Sequence, residues 1–320
     1  MPTHRSTADR RRIVVVGASN IDLISYVPRL PAPGETLHGS SFQLGYGGKG
    51  ANQAVMAARL GSPVSMVTKL GRDVFGEGTL ENFTANGVDT THVHVTDEAS
   101  SGVAPIAVEP DGTNAIIIVT GANDLLTAEE LEAARPAIAE AALVVCQLEI
   151  PLELTHAALR IAREEGARTI LNPAPAQASL PAELYELVDV LCPNETETEL
   201  LTGAGVATPA EANAQAEALR ARGVGSVVLT LGERGCLIAA GDGTVALPGT
   251  AVDAVDTTGA GDAFVGSLAH FLAAGASLQA AAERANHVAA VSVGHRGTQT
   301  SFPRREDLPA ELLAGFGTDR

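Results

Sequence analysis

Residues 143–171 read LVVCQLEIPLELTHAALRIAREEGARTIL. The run 143–148 is apolar enough for a buried strand, and 152–165 carries apolar residues at helical spacing before Gly166. Residues 169–171 form a second short apolar run. A strand, a helix and a strand in this order form a β-α-β unit with parallel strands, so this stretch predicts the α/β class.

The same alternation of strand and helix signals extends from residue 13 to about residue 295. The further predicted strands are 13–16, 65–69, 189–191 and 226–230. The further predicted helices are 51–60, 76–86, 127–141, 194–201, 208–222, 260–274 and 277–293. Residues 236–240 and 244–247 flank a Gly-Asp-Gly turn and predict a hairpin. We therefore expect a mostly parallel central sheet covered by helices.

Two stretches, 21–46 and 101–120, carry strand and turn signals without a helix. In the second, 101–108 and 114–119 flank Glu109-Pro110-Asp111-Gly112, which predicts a hairpin. We expect these stretches to form a small separate β-sheet, a lid. Residues 1–12 are polar and rich in arginine, so we assign them to a flexible tail, and we assign residues 13–310 to one α/β domain that carries the lid.

The composition of the 320 residues excludes several classes of partner. The formal net charge is −17 and the one basic run is short, so we expect no nucleic-acid binding. No apolar run approaches the ~20 residues that cross a bilayer, so we expect no membrane insertion. Three widely spaced cysteines give no disulfide framework, which fits a cytoplasmic location.

Lysine occurs only at positions 49 and 69, which excludes further chemistries. Lys49 is followed by Gly50 and Lys69 by Leu70, so neither belongs to a Walker A loop. The first strand leads into Gly17-Ala18-Ser19-Asn20, which is not a dinucleotide fingerprint. An anionic ligand must therefore be held by backbone dipoles, a metal ion or one of two lysines.

The segment Asp256-Thr257-Thr258-Gly259-Ala260-Gly261-Asp262 precedes an apolar helix. Its small residues allow successive backbone N–H groups to converge on an anion at the helix N-terminus. A carboxylate at the mouth of such a nest repels phosphate unless it acts as a base on an attacking hydroxyl, as a kinase requires. Asp262 is therefore a candidate base, and the alternative is a plain helix cap.

A second glycine-rich loop, Gly45-Tyr46-Gly47-Gly48-Lys49-Gly50-Ala51-Asn52, leads into a predicted helix. Glycines allow the backbone to approach a ligand closely. Lys49 lies in this loop, and Asn52 in the first turn of the helix can face the same ligand. Two such loops, 200 residues apart, are a stronger indication of a ligand site than either loop alone.

Polar residues also follow the first strand and the strand 143–148. Asn20-Ile21-Asp22 follows the first strand, and Glu149 ends the other. The carboxyl ends of parallel strands are where α/β folds bind ligands, and these side chains can bind sugar hydroxyls. The alternatives are an Asx-turn for Asn20 and Asp22 and a surface loop for Glu149.

Two further segments are ambiguous when taken alone. Asn194-Glu195-Thr196-Glu197 offers hard oxygen ligands for Mg²⁺ through water, or simply begins an acidic, capped helix. Thr230-Leu231-Gly232-Glu233-Arg234-Gly235 follows a strand and can line a nucleotide, or can be an ordinary turn.

Together these residues resemble the ribokinase/PfkB family of sugar kinases over residues 13–303. The loop 47–53 is similar to the first family signature and the segment 256–262 to the second. Residues 146–149, 171–176, 193–197 and 297–303 also match. The resemblance implies a three-layer α/β/α sandwich with a β lid, and dimers that pair through the lid.

The resemblance also implies an activity and its residues. The expected reaction is ATP-dependent phosphorylation of the 5-hydroxyl of D-ribose to ribose 5-phosphate, with Asp262 as base and Gly259, Ala260 and Gly261 as an anion hole. The implied sugar contacts are Asn20, Ile21, Asp22, Gly48, Lys49, Gly50, Ala51, Asn52 and Glu149. The implied ATP contacts are Asn194, Thr230, Leu231, Gly232, Glu233, Arg234, Gly235, Gly261, Asp262 and Asn286.

Two metal ions are implied in the same way. Glu197 would help to place Mg²⁺ through water. A monovalent cation, normally K⁺, would lie beside the anion hole as an activator. Its matching positions are Asp256, Thr258, Ser292, His295, Gly297 and Ser301.

Other activities remain open at this point. One is another sugar kinase of the same family, such as a fructokinase or a nucleoside kinase. The polar sugar set favours a small ligand rich in hydroxyls, and the chain holds only seven Phe, three Tyr and no Trp to wall a nucleoside. Another is a catalytically inactive sugar-binding regulator, against which the intact Asp262 and glycine loops argue.

Overall fold

The computed structural model describes residues 11–241 and 243–314. Its strands are β1 (Arg12–Val16), β2 (Asn20–Tyr26), β3 (Ser41–Gly47), β4 (Val64–Gly71), β5 (Val88–Thr96), β6 (Gly102–Val108), β7 (Asn114–Ile116), β8 (Ala141–Cys146), β9 (Arg168–Leu171), β10 (Val190–Leu191), β11 (Ser226–Thr230), β12 (Cys236–Ala240) and β13 (Gly243–Leu247).

Eleven α-helices lie within the same residues. They are α1 (Lys49–Arg59), α2 (Val74–Ala85), α3 (Ala128–Ala133), α4 (Arg135–Ala139), α5 (Leu152–Glu164), α6 (Ala182–Glu186), α7 (Glu195–Thr202), α8 (Pro209–Arg220), α9 (Ala260–Ala273), α10 (Leu278–Val293) and α11 (Ala310–Leu313). None of the described helices is long and apolar enough to cross a bilayer.

Nine strands form the main sheet in the order β13-β12-β11-β10-β9-β8-β1-β4-β5. The pairs from β11 to β5 are all parallel, and β12 is antiparallel to both of its neighbours. This confirms the mostly parallel sheet. The parallel strands end at one edge of the sheet, so the polar residues that follow them are brought to one side of the protein.

The two faces of this sheet are covered by different helices. Ile13 and Val15 of β1 pack with α1, α2, α9 and α10, whereas Val14 and Val16 pack with α3 to α8. All four side chains are fully buried. Side chains alternate across a strand, so an unbroken apolar run needs a helical layer on each face. The expected three-layer α/β/α arrangement is confirmed.

The smaller sheet has the order β3-β2-β6-β7. It confirms the predicted lid, with one difference in the hairpin. The second strand ends at Ile116 rather than Val119, and one isolated bridge joins Val103 and Val119. Ile117 donates to the carbonyl of Pro105, but Pro105 has no N–H to return the bond, so the regular ladder stops there.

Other elements also differ from prediction. The helix expected over 127–141 is two short helices that meet at Ala134, because Pro136 cannot donate a helical hydrogen bond and its ring crowds the preceding turn. Strand β8 ends at Cys146, so Glu149 lies three residues beyond it rather than at its end. Helix α6 was not predicted.

The predicted tail lies mostly outside the described residues. Arg12 already belongs to β1, where its guanidinium donates to Ser65 and Asp89 at 2.6 and 3.0 Å. The strand therefore begins one residue earlier than expected. Asp242, in the predicted Gly-Asp-Gly turn, lies outside the described residues.

Candidate active site

Asp262 lies in the first turn of α9 and is 7% exposed. The helix begins after Gly259, which has φ of 77° and makes no side-chain cap. A Cβ at Gly259 would lie 2.7 Å from Cγ2 of Thr298, so both the backbone angle and the space require glycine. The N-terminus of this helix is therefore left open.

Backbone N–H groups surround this helix start. The first N–H groups of a helix have no acceptor within it, and together with the helix dipole they attract an anion. The N–H of Ala260 is directed elsewhere, to the carbonyl of Thr257 at 3.2 Å. Of the predicted anion hole, Gly259 and Gly261 therefore offer the better donors, and the N–H of Asp262 is a further one.

A cavity of about 180 Å³ lies directly in front of this helix start. Its lining includes the predicted site residues Lys49, Asn194, Glu197, Thr230, Gly261 and Asp262. A Cβ built on Gly261 meets nothing within 4 Å, so this glycine leaves open space in the cavity. Residues from both glycine-rich loops thus face one small chamber.

Close packing of α1 on α9 brings the first glycine loop to Asp262. A Cβ at Gly266 of α9 would lie 2.6 Å from the carbonyl oxygen of Gln53, so the two helices touch where Gly266 has no side chain. Asn52 Nδ2 then donates to Asp262 Oδ2, and Gln53 Nε2 donates to Asp262 Oδ1, each at 2.9 Å.

Asn52 was predicted to contact a sugar, and the structure uses most of its hydrogen-bonding groups. Its Oδ1 accepts from Gln299 at 3.0 Å while its Nδ2 donates to Asp262. Asn52 is 4% exposed. One amide hydrogen remains for a ligand, so a direct sugar contact by Asn52 stays a prediction.

The first glycine-rich loop packs closely against the residues that follow β1. A Cβ at Gly50 would lie 2.8 Å from backbone atoms of Gly17, and a Cβ at Gly48, with φ of 85°, would lie 2.7 Å from the N of Asn20. Larger residues would push the loop away from the sheet. Ala51, which is buried, extends α1 beneath the loop.

Glu149 fastens this loop from the other side. Its Oε2 accepts a hydrogen bond of 2.8 Å from the backbone N–H of Lys49. Burial raises the pKa of Glu149, while the charge of Lys49 opposes that rise. Glu149 is therefore held beside Lys49 at the start of α1.

Asn20 and Asp22 lie on β2, where the lid meets the main sheet. Asn20 Oδ1 accepts from Asn123 Nδ2 at 2.9 Å, and Asn123 Oδ1 accepts from the N–H of Ser19 at 2.9 Å. Ile21 between them is 1% exposed, which leaves it no surface for a sugar. The predicted contact by Ile21 therefore has no support from its position.

Asp22 is partly exposed and sits where two glycines make room for it. A Cβ at Gly47 would lie 2.5 Å from its carboxylate, and Thr298 Oγ1 donates to its Oδ2 at 3.5 Å. Burial raises the pKa of Asp22 to about 6; the Thr298 hydrogen bond lowers it and the charge of Asp262 adds to the rise. Asp22 is therefore near enough to Asp262 for the two charges to interact.

The electrostatics of the site are dominated by carboxylates. Desolvation lowers the pKa of Lys49, but the charges of Asp262, Glu149 and Glu197 outweigh it, so its pKa lies above the ordinary value. Three acids therefore act on a single ammonium group. An ATP tetra-anion entering such a site requires a divalent cation to offset the repulsion.

Asn194 and Glu197 form a reciprocal cap at the start of α7. Glu197 Oε2 accepts from the N–H of Asn194, and Asn194 Oδ1 accepts from the N–H of Glu197, both at 2.8 Å. Burial raises the pKa of Glu197 above its ordinary range. Both residues also line the small cavity, so the capping and ligand interpretations of this segment are compatible.

A larger cavity of about 820 Å³ adjoins the small one. Its lining includes the predicted ATP residues Asn194, Thr230, Gly232, Glu233, Arg234, Gly235, Gly261 and Asn286. Leu231 is 8% exposed and supports the loop from within. The two cavities share Asn194, Thr230 and Gly261, so a ligand in the larger one can reach Asp262.

Asp256 ties the second glycine loop to the segment 294–301. Its Oδ1 accepts from the N–H of Thr258 and its Oδ2 from the N–H of Gly297, both at 2.9 Å. Burial raises the pKa of Asp256, but these hydrogen bonds and the charge of Arg296 outweigh it and leave the pKa below its usual value.

The other predicted cation positions lie around this link. Ser292 and Ser301 are buried, and their hydroxyls donate to the carbonyls of Ala289 and Thr298 at 2.8 Å. Both hydroxyl oxygens keep lone pairs. His295 Nδ1 lies 3.2 Å from the carbonyl oxygen of Val291, so its side chain points back toward the end of α10.

Several functional candidates carried no distinct signal in the sequence. Gln53, Asn123 and Gln299 hold predicted site residues but were not themselves predicted to do so: Gln53 and Gln299 lie in segments that match the family, and Asn123 lies in none. Asn123 lies 103 residues from Asn20 in the chain. Only the folded arrangement brings these amides to the site, so spacing along the chain could not reveal them.

Residues 10–305 match the family described as pfkB family carbohydrate kinase. The chain is 46% identical to a ribokinase of Mus musculus over 305 residues, covering 94% of each chain. It is 42% identical to a deoxyribokinase of Salmonella typhi, covering 92% of this chain and 97% of the relative.

A solved structure of Arabidopsis thaliana ribokinase, described as complexed with ribose and ATP, superposes with a TM-score of 0.88 at 31% identity. The match covers 96% of this chain and 99% of the other. The chain therefore belongs to the pfkB family of carbohydrate kinases, as the two glycine-rich loops indicated.

Proposed function

We propose that this protein phosphorylates the 5-hydroxyl of D-ribose with ATP to give ribose 5-phosphate and ADP. The observation that carries the proposal is the position of Asp262. Its carboxylate lies at the open N-terminus of α9, faces a cavity of about 180 Å³ and adjoins a larger cavity suited to a nucleotide. A base, N–H groups that can donate hydrogen bonds to a phosphate, and room for two substrates are therefore found together.

The choice of sugar rests on the polar residues around that point. Asn20, Asp22, Lys49 and Glu149 offer carboxylate, amide and ammonium groups, which suit a small ligand with several hydroxyls. The similarity to a relative named ribokinase and to a ribokinase described with ribose and ATP supports ribose among the small sugars.

The reaction is a single displacement at the γ-phosphorus. Asp262 takes the proton of the attacking hydroxyl, the hydroxyl oxygen forms a bond to the γ-phosphorus, and the bond to the bridging oxygen of ADP breaks. The N–H groups of Gly259, Gly261 and Asp262 hold the charge on the transferred phosphoryl group. Lys49 offsets part of the negative charge beside them.

Mg²⁺ bound with ATP would neutralise phosphate charge that the acids of the site would otherwise repel. Asn194 and Glu197 fit this ion because both residues line the small cavity and carry oxygen ligands. As the sequence predicts, Glu197 would act through water.

A monovalent cation is proposed beside the second glycine loop. Carboxylate, hydroxyl and carbonyl oxygens of Asp256, Thr258, Ser292, His295, Gly297 and Ser301 form a donor set that suits K⁺. Asp256 already joins the two segments that carry these oxygens. The ion would hold the loop so that its N–H groups face the phosphoryl group.

A second candidate is phosphorylation of 2-deoxyribose. The 42% identity to a Salmonella deoxyribokinase is the observation that favours it. The two sugars differ only in the 2-hydroxyl, and a site that hydrogen-bonds this group loses one charge-assisted bond, worth about 1.5–3 kcal/mol, with the deoxy sugar.

The deciding experiment measures ADP release with Mg-ATP and a panel of D-ribose, 2-deoxyribose, D-fructose and adenosine. We expect kcat/KM to be highest for ribose, and the phosphorus resonance of the product to couple to the two C5 protons. A higher kcat/KM for 2-deoxyribose would show that the protein is a deoxyribokinase, the second candidate, rather than a ribokinase. Preference for fructose or adenosine, or phosphorylation elsewhere, would overturn the proposal.

We also propose a homodimer formed through the lid, in the cytoplasm. Phe42, Ile116, Ile117 and Ile118 are 52–66% exposed and lie on the lid. A second copy of this chain is the occupant that the family resemblance implies for such a surface. The three cysteines are free and buried, which suits a reducing compartment.

A further inference from the structure

Gln53 follows Asn52 on α1 and is 1% exposed. Its Nε2 donates to Oδ1 of Asp262, and Asn52 donates to Oδ2, so each oxygen of the proposed base accepts one amide proton. Gln53 does not line either cavity described above. It therefore reaches Asp262 from the interior of the protein, behind the face that meets a substrate.

A chain of buried amides fixes the direction in which Gln53 points. The backbone carbonyl of Cys192 accepts from Asn172 Nδ2 at 2.9 Å, which leaves Asn172 Oδ1 as an acceptor for Gln53 Nε2 at 3.1 Å. On the other side, Gln53 Oε1 accepts from Gln147 Nε2 at 2.6 Å. A carbonyl cannot donate, so the fixed carbonyl of Cys192 sets the orientation of Asn172 and, through it, of Gln53.

A reversed Gln53 amide would place its oxygen against the carboxylate of Asp262. Two acceptors would then face each other in a buried site, where unpaired polar contacts are costly. The amide of Gln147, which is fully buried, donates to Gln53 Oε1 and so matches the observed orientation. Gly17 leaves the space that Gln147 occupies, since a Cβ at Gly17 would lie 2.0 Å from Gln147 Oε1.

We infer that Gln53, oriented by Gln147 and Asn172, is a positioning residue for the catalytic carboxylate of Asp262. The inference rests on the proposed role of Asp262 as the base. A donor on Oδ1 favours the carboxylate form and fixes the rotation of the group, so its free lone pairs stay directed into the cavity. Gln53 acts on the transfer step without touching the sugar.

The test is Gln53→Met, which keeps the length of the side chain and removes its three hydrogen bonds, to Asp262, Asn172 and Gln147. We expect kcat to fall about 10–100-fold because the base is no longer held in the attacking geometry. We expect the KM for sugar to stay within about threefold of the wild-type value, because the contacts that bind the sugar in the ground state are unchanged. The acid limb of the kcat profile should move to higher pH, since a donor that favours the carboxylate is lost.

The matched control is Ser267→Ala on α9. Ser267 is buried and its hydroxyl donates to the carbonyl of Ala263 at 2.6 Å, so the variant also removes a buried hydrogen bond close to Asp262. It should leave kcat and the pH profile at wild-type values. Gln147→Met is a second test because it removes one of the two amides that orient Gln53 and leaves the hydrogen bond from Gln53 to Asp262 in place, so we expect a smaller fall in kcat with a pH shift in the same direction.

A Gln53→Met enzyme with wild-type kcat and pH profile but a lower melting temperature would overturn the inference and leave Gln53 as a tie between α1 and α9. If that variant does not fold, Gln147→Met decides by the same two readouts. Failure of the proposed function gives a different result: an Asp262→Asn enzyme with normal kcat would show that Asp262 is not the base. A poorly active Asp262→Asn beside a normal Gln53→Met would refute the inference alone.

Discussion

Asn52 and Asp262 lie 210 residues apart in the chain, and the side-chain amide of Asn52 donates a 2.9 Å hydrogen bond to the carboxylate of Asp262. The contact joins the two glycine-rich loops, one at the start of α1 and the other at the start of α9. It requires Gly266, where a Cβ would lie 2.6 Å from the carbonyl of Gln53. Helix packing therefore determines where the catalytic carboxylate is held.

Asp22 is predicted to reduce stability in return for sugar binding. Its pKa is raised to about 6 from 3.8 by burial, so the folded state holds its proton more tightly than the unfolded state. Stability therefore falls as the pH rises from about 4 to about 6, by up to about 3 kcal/mol.

Asp22→Asn should consequently melt several degrees higher than wild type at pH 7–8 without sugar, with the difference vanishing below pH 4. The same substitution should weaken ribose binding more than it weakens ATP binding. Calorimetric melting between pH 4 and 8 measures the first effect, with Asp253→Asn at an exposed position as the control. Equal melting temperatures at pH 8 would refute the raised pKa.

Gly261 and Gly266 should respond oppositely to alanine. A Cβ at Gly261 meets open space and alanine favours a helix by about 1 kcal/mol, so Gly261→Ala should melt at or above the wild-type temperature. The added methyl group enters the cavity, so kcat should fall at least ~10-fold through misplacement of the phosphoryl group.

Gly266→Ala should instead lower the melting temperature, because its Cβ has no room beside α1. Melting curves and steady-state kinetics on the two variants provide the comparison. A Gly261→Ala enzyme with full activity would show that the transferred phosphoryl group does not occupy this space.

Activation by K⁺ follows from the proposed cation position. Turnover should be high in K⁺, NH₄⁺ or Cs⁺ and lower in Na⁺ or Li⁺, because carbonyl and hydroxyl oxygens readily replace the water of a large, weakly hydrated ion. Asp256→Ala also breaks the link between Thr258 and Gly297, so it should lower kcat in K⁺ while changing ribose affinity much less. Full turnover in a K⁺-free choline buffer would contradict this assignment.

The lid should pair two copies of the chain. Wild-type protein at micromolar concentration should sediment as a dimer, and Ile117→Asp should sediment as a monomer because a charge would enter the apolar face. Val74→Asp, at an apolar residue that is 74% exposed outside the lid, is the matched control and should remain dimeric. A wild-type protein that sediments as a monomer would contradict the proposed dimer interface at the lid.

The local pattern of the sequence predicted most elements of the fold. Strands β11 and β12 have the predicted bounds, and the helices predicted to start at 127 and 208 do start there, each with a capping box. These features depend on residues a few positions apart. The break at Ala134 depends on Pro136, so the prediction of one continuous helix through this proline was wrong.

The site was predicted in its parts but not in its connections. The glycine loops, Asp262 and Glu149 follow strands or precede helices, so their placement at the carboxyl edge of the sheet could be anticipated. The contacts of Asn123 with Asn20 and of Gln53 with Asp262 span 103 and 209 residues. They arise from the packing of whole elements, and no local pattern encodes them.

The central claim is that Asp262 removes the proton from the sugar hydroxyl. The most direct measurement compares kcat and calorimetric ribose affinity for wild type and Asp262→Asn. We predict that kcat falls about 10²–10⁴-fold, the usual contribution of a positioned base, while ribose affinity changes by no more than about fivefold. A kcat near the wild-type value would contradict the assignment of Asp262 as the base.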